Sequence, residues 1–260
     1  MTVVTRLEHI LRSTQDDTRE DSPLPEGSIQ PLASPSLPDD VQVWRIALAA
    51  DEAALADLAL CLDPAEQQRA AAFHFARDCR RFIVAHAAMR YILGRYLDTA
   101  PANIRFAHQR GGKPRLAPPF DSSYLHFNLS HAHELALLAV APGRPVGVDL
   151  EHLRPWPDAL SLAETFFASA EMTQLRPRLG TSSGERLFFT CWTRKEAFIK
   201  ATGDGLARPL DSFVVTFLPQ DPPALFQASN PPAPVHGWAL FPLDPGPEYV
   251  AALVIGDAPH

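Results

Sequence analysis

Two acids stand two residues apart in an otherwise apolar run, Val146-Gly147-Val148-Asp149-Leu150-Glu151. In a β-strand, residues two apart point to the same side. Asp149 and Glu151 would then share one face while Val148 and Leu150 face a core. Paired carboxylates repel each other unless a cation lies between them. Oxygen ligands beside a phosphate suit Mg²⁺, which takes one or two carboxylates and leaves the rest of its shell to phosphate oxygens and water. Taken by itself, the pattern is more often an exposed strand face with two solvated acids.

A second segment narrows the choice. In Trp192-Thr193-Arg194-Lys195-Glu196-Ala197-Phe198-Ile199-Lys200, a helix puts Glu196 and Lys200 one turn apart on a common face. An ordinary surface pair of this kind stabilises by only about 0.3–0.5 kcal/mol. Leu187, Phe188, Phe189, Trp192, Phe198 and Ile199, however, require most of the helix to be buried. A charged stripe on a mostly buried helix lines a cleft. In His126-Phe127-Asn128-Leu129-Ser130-His131, Ser130 and His131 follow a strand, where a loop could aim them at a phosphate. A hydrolytic Ser-His pair is disfavoured, because chain neighbours rarely serve as nucleophile and base and no GxSxG elbow is present. Gly112-Lys113-Pro114 reads as a turn carrying a solvated lysine.

These residues need elements to hold them. Asp63 caps a helix that starts at Pro64, and Glu66 closes a capping box. A second helix begins near Asp78, with Phe82, Ala85, Met89, Ile92, Leu93 and Tyr96 at helical spacing, and Pro101 closes it. Residues 103–107 read as a short strand and 110–115 as a turn. Three strand-like runs follow, YLHFNL, ELALLAVA and PVGVDLE. Short helical segments occupy 159–178, and a long helix covers Glu185 to Thr202 with Gly203 as its left-handed cap. Further strands are expected near 213–217, 236–241 and 248–255. The order implies an α+β protein of two halves, each packing a helix on a small antiparallel sheet. Residues 1–40, rich in Pro, Ser, Asp and Glu over 13–40, read as a flexible N-terminal extension. The N-terminal half is assigned to 41–145 and the C-terminal half to 146–260.

Composition excludes several classes. The chain is 46% hydrophobic, enough for a sizeable core, and its net charge of −7 argues against nucleic acid as a partner. No run approaches the roughly 20 apolar residues of a membrane span. The first residues lack a secretory pattern, so a cytoplasmic protein is expected. Cys61, Cys79 and Cys191 form no metal or disulfide pattern. Between Pro64 and Arg95, six arginines (69, 77, 80, 81, 90, 95) stand against two acids, Glu66 and Asp78, a local excess of +4. Most of these arginines fit a solvated helix face; the excess also suits an anionic ligand.

GVDLE, followed by WTRKEAFIKATGDGL, resembles the 4'-phosphopantetheinyl transferases of the surfactin-synthetase-activating type. GKP, FNLSH and PLDSF sit in that family's order, and the resemblance covers about residues 41–255. It implies two similar halves related by pseudo-twofold symmetry, with coenzyme A in the cleft between them. It implies Asp149, Glu151 and Glu196 as ligands of Mg²⁺, with Mn²⁺ as an alternative. Lys195 and Lys200 would contact the coenzyme A phosphates. Ser130 and His131 would hold the 3′-phosphate and pyrophosphate region, Lys113 would touch coenzyme A near the adenine, and Arg81 would bind the 3′-phosphate. Glu171 would have a supporting role. Glu66 stands where some family members carry a basic residue, and Arg69 is near enough to substitute. The implied reaction moves the phosphopantetheine arm of coenzyme A to a serine of an apo acyl or peptidyl carrier protein and releases 3′,5′-ADP. Asp149, Lys200 and Glu196 would be catalytic, with Glu196 as the base, directly or through a metal-bound water. A monomer serving polyketide or nonribosomal peptide synthesis is the family's expectation. The competing readings are a non-catalytic coenzyme A-binding protein and a carrier-docking module.

Overall fold

The computed structural model describes residues 23–122, 124–229, 231 and 233–257. In the N-terminal half, helix α1 (Glu52–Ala59) is capped by the Asp51 side chain, which accepts from Ala54 N at 2.8 Å. Helix α2 (Pro64–Ala71) starts with the expected capping box between Asp63 and Glu66. Helix α3 (Ala76–Leu97) begins two residues before the position read from sequence and ends on Asp98 at φ 55°. Strands β1 (Ile29–Pro31), β2 (Gln42–Ala47), β5 (Leu125–Ala132) and β6 (Leu135–Pro142) form one antiparallel sheet in the order β1-β2-β6-β5. The hairpin β3 (Phe106–His108) and β4 (Pro114–Leu116) flanks it.

The expected extension over 1–40 is corrected at its C-terminal end. Ile29, Gln30 and Pro31 pair with Ile46, Arg45 and Trp44 and so add an edge strand to the sheet. A proline is tolerated there because an edge position has no further neighbour to bond. Residues 1–22 lie outside the described residues.

In the C-terminal half, β7 (Val146–His152), β11 (Trp238–Leu243) and β12 (Tyr249–Gly256) make a sheet in the order β11-β12-β7. Helices α4 (Ala159–Phe166) and α5 (Ser169–Leu175) lead into α6 (Ser182–Thr202), which Gly203 closes at φ +76°. Strands β8 (Phe213–Val215), β9 (Leu225–Gln227) and β10 (Ala233–Pro234) form a small third sheet.

Alternation along the strands dictates the layers. Trp44, Ile46, Ala136, Leu138 and Val140 face α3, sharing a core with Phe82, Met89 and Leu93. Val43, Leu135, Leu137 and Ala139 face the other way and meet Val146, Val148, Leu150, Ala251 and Leu253. The intervening residues of β12, Val250, Ala252 and Val254, pack with Phe188, Ala197 and Phe198 of α6. The molecule is thus helix, sheet, sheet, helix: two α+β halves back to back, sharing an apolar layer between their sheets. No helix among the described residues is long and apolar enough to cross a membrane.

Candidate active site

Strand β7 carries the acids, and its odd-numbered face lies on α6. Gly147 permits this: a Cβ there would fall 2.2 Å from both Ala197 O and Ala201 N. With helix and strand so close, Asp149 and Glu151 follow along the same face. From Cys191 to Lys200, only Trp192, Glu196 and Lys200 are not buried, a stripe at a spacing of four that opens beside β7.

The junction of the two halves is polar where β5 meets the outer edge of β7. Asn128 Oδ1 accepts from Val148 N at 2.8 Å, a strand-like bond supplied by a side chain. Two residues along, Ser130 Oγ donates to Asp149 Oδ1 at 3.1 Å. Lys200 Nζ donates to the same Asp149 oxygen at 2.5 Å and to Ser130 Oγ at 3.1 Å. Asp149 is 5% exposed, and its Oδ2 is buried without a hydrogen-bond partner among the described residues.

Electrostatics bind the acids into one group. Burial and then the Asp149 charge push Glu151 up to about 7, against the pull of Arg154 and Lys200. Burial and Asp149 likewise raise Glu196, with Lys200 opposing. Glu151 and Glu196 both resist ionising beside the Asp149 charge, which is the condition a divalent cation relieves. The oxygen donors and the orphaned Asp149 Oδ2 fit a hard cation. The acids do not, however, close into a cage: among the described residues, no three His, Cys, Asp or Glu side chains stand together as a ready metal site. Lys200 takes the position beside Asp149 Oδ1 instead.

Cations from the N-terminal half border this cluster. His131 is exposed and lies within β5 rather than in a loop after it, and its pKa is lowered by desolvation and by His86, Lys200, Arg69 and Arg81. Arg81 pairs with Glu134 in the β5–β6 turn and with Asp78 at 3.5 Å, and its Nε is buried without a partner among the described residues. Glu66 is structural. It bonds His86 Nδ1 at 2.8 Å and Arg90 at 2.6 Å, and Arg90, fully buried, also holds Asp63 at 2.9 Å. One arginine of the basic stretch is therefore a core residue.

Two expected phosphate or nucleotide contacts lie elsewhere. Lys195 is fully buried on the opposite side of α6. Its ammonium donates to Leu210 O at 2.8 Å and Phe213 O at 2.7 Å and pairs with Glu171 at 2.8 Å. Glu171 also accepts from Ala168 N and Val215 N. Lys195 could meet a ligand beside Asp149 only by abandoning three buried partners, which is at odds with its assignment as a phosphate contact. Lys113 donates to Val146 O at 2.7 Å and Ala201 O at 3.3 Å, linking the halves at the far end of β7. Sequence reasoning assigned no role to Asn128, His86, Glu134 or Arg154. Asn128 was within reach, since it shares a strand face with Ser130.

Comparison with known proteins adds identity to this geometry. Residues 145–254 match the model of the 4'-phosphopantetheinyl transferase superfamily, and residues 49–143 match a model described as 4'-phosphopantetheinyl transferase, N-terminal. The chain is 42% identical over 219 residues to 4'-phosphopantetheinyl transferase HetI of Nostoc sp., covering 84% of this chain and 89% of that protein. It is 29% identical over 201 residues to 4'-phosphopantetheinyl transferase Sfp of Bacillus subtilis, covering 76% and 85%. Among solved structures, holo-[acyl-carrier-protein] synthase of Thermotoga maritima aligns with 44% of this chain and 64% of that one, with TM-score 0.33 and 18% identity.

Proposed function

Because the chain belongs to the 4'-phosphopantetheinyl transferase superfamily, we propose that the junction of β5, β7 and α6 is where it transfers the phosphopantetheine group of coenzyme A to a carrier protein. The observation that carries this reading is the Lys200–Asp149–Ser130 cluster. It joins the two halves, leaves the buried Asp149 Oδ2 without a hydrogen-bond partner among the described residues, and feels two further acids nearby.

The chemistry follows from what these groups can do. A carrier serine hydroxyl attacks the β-phosphorus of coenzyme A. The new O–P bond forms as the bridging P–O bond breaks, and 3′,5′-ADP leaves with the electron pair. Phosphoryl transfer demands alignment and charge stabilisation more than covalent help. Asp149, Glu151 and Glu196 would hold Mg²⁺, which when bound neutralises the diphosphate oxygens. Lys200 offers its ammonium to the leaving phosphate. Glu196 would take the serine proton, directly or through a metal-bound water. Ser130, His131 and Arg81 would grip the phosphates of the nucleotide. For Arg81 this means exchanging Glu134 for the 3′-phosphate.

The test mixes the protein with an apo acyl or peptidyl carrier, coenzyme A and Mg²⁺, and weighs the carrier. A gain of one phosphopantetheine is expected, and Asp149→Ala should nearly abolish it while the circular dichroism spectrum is retained. Carrier binding without a mass gain would favour a docking module instead. Arg81→Ala is expected to weaken coenzyme A at least about tenfold, the range of one lost charge-assisted contact, and to spare the 3′-dephospho analogue. Equal loss for both ligands would remove Arg81 from the 3′-phosphate site.

A further inference from the structure

The chain has three lysines, 113, 195 and 200, and the first stands on a different half from the others. Lys113 ends a tight turn between β3 and β4. Gln109 N bonds Lys113 O and Gly112 N bonds Gln109 O, both at 2.9 Å, with Gly112 at φ +83°. This turn rests directly on the end of α6. A Cβ on Gly111 would lie 2.1 Å from Gly203 O, and one on Gly205 would lie 2.8 Å from Gly111 O. Main chain therefore touches main chain, and only glycine fits on either side.

From that fixed turn the Lys113 side chain reaches two carbonyls. Ala201 O belongs to the last turn of α6, where carbonyls lack helical partners and the helix dipole favours a cation. Val146 O lies on the outer edge of β7, the edge where Asn128 also satisfies Val148 N. Burial lowers the Lys113 ammonium to about 8, which leaves it charged at neutral pH, and both carbonyls reward that charge. Asp149 stands three residues from Val146, and Lys200 one residue from Ala201. The ammonium thus ties together the two segments that carry the 2.5 Å Lys200–Asp149 pair.

We propose that Lys113 is a positioning residue. Its ammonium clasps the start of β7 to the end of α6 and so sets the register in which Lys200 meets Asp149. The proposal rests on the transferase reading for its kinetic consequence and on geometry alone for the clasp. Two of the three ammonium N–H groups are committed to these carbonyls.

Lys113→Met is expected to lower kcat about tenfold or more while the KM for coenzyme A stays within about twofold, the signature of lost alignment. A raised KM with kcat retained would make Lys113 a ligand contact and overturn the proposal. Unchanged kinetics with a lower thermal midpoint would make it a plain structural tie and overturn it too. The second measurement needs neither a variant nor a reaction: reductive methylation of the wild-type protein, mapped by mass, with and without coenzyme A. Once each rate is corrected for its fraction of neutral amine, which the lowered Lys113 pKa enlarges, Lys113 should label more slowly than Lys200 in the free protein, and coenzyme A should leave its rate unchanged. Protection of Lys113 by coenzyme A, or a corrected rate as fast as that of Lys200, would refute the clasp. If the wild-type protein transfers nothing, the transferase reading fails while the labelling still decides the clasp.

Discussion

Lys195 and Lys200 are five residues apart on one helix and meet opposite environments. Lys200 is partly exposed beside Asp149, whereas Lys195 and Glu171 are both fully buried, charge on charge. Burial raises the Glu171 pKa even with Lys195 beside it. A buried pair is weak evidence for added stability, but breaking one leaves a charge stranded. Lys195→Met should therefore destabilise the protein by about 3–5 kcal/mol in denaturant unfolding. Glu171→Gln in the same chain should return part of that loss, because no lone carboxylate then remains. An unchanged midpoint, together with weakened coenzyme A binding, would restore Lys195 to the ligand site.

At the scale of elements, the site depends on how closely α6 lies on β7. Gly147 is needed for space rather than for its torsion angles, since any Cβ would strike two main-chain atoms of the helix. Gly147→Ala must push α6 outward by a fraction of a helix radius, and Glu196 and Lys200 move with it. Misplacement near 1 Å can cost about 100-fold in rate. A loss of that order in carrier modification, with a lowered thermal midpoint, is expected. Full activity in this variant would show that the strand–helix distance does not matter to the chemistry. The same closeness explains why the acids of β7 and the charged stripe of α6 influence each other's ionisation.

The whole molecule is held by the apolar layer between its two sheets. Neither half has a second way to cover Leu137, Val148 or Leu253, which are wholly buried in that layer. Leu253→Ala should cost about 2–5 kcal/mol, the range for deleting a buried leucine side chain. Urea unfolding followed by far-ultraviolet circular dichroism and by tryptophan fluorescence should give one coincident transition for wild type and variant alike. Two separate transitions would mean that the halves are independent folding units. The Ser130–Asp149 and Asn128–Val148 bonds depend on this layer, because β5 and β7 reach each other only while the sheets stay face to face.

Sequence alone determined the elements whose periodicity is strong. The α2 capping box, the apolar stripe of α3, the three strands from 125 to 152 and the αL cap at Gly203 were all legible, because each is written in local spacing. So was the pairing of Asp149 with Glu151 on one face and Glu196 with Lys200 on another. The edge strand at 29–31 was not, since its proline and its polar neighbours read as linker until β2 offers them a partner. Periodicity could have placed Lys195 on the stripe of Phe188, Cys191 and Phe198, but Glu171, which lets a charge live there, is 24 positions away. Which carbonyls Lys113 grips, and which carboxylate oxygen of Asp149 is left unpartnered, depends on contacts 19 to 88 residues apart in the chain. Local pattern fixes which way a side chain leaves its element; only the packing of one element on another decides what it finds there.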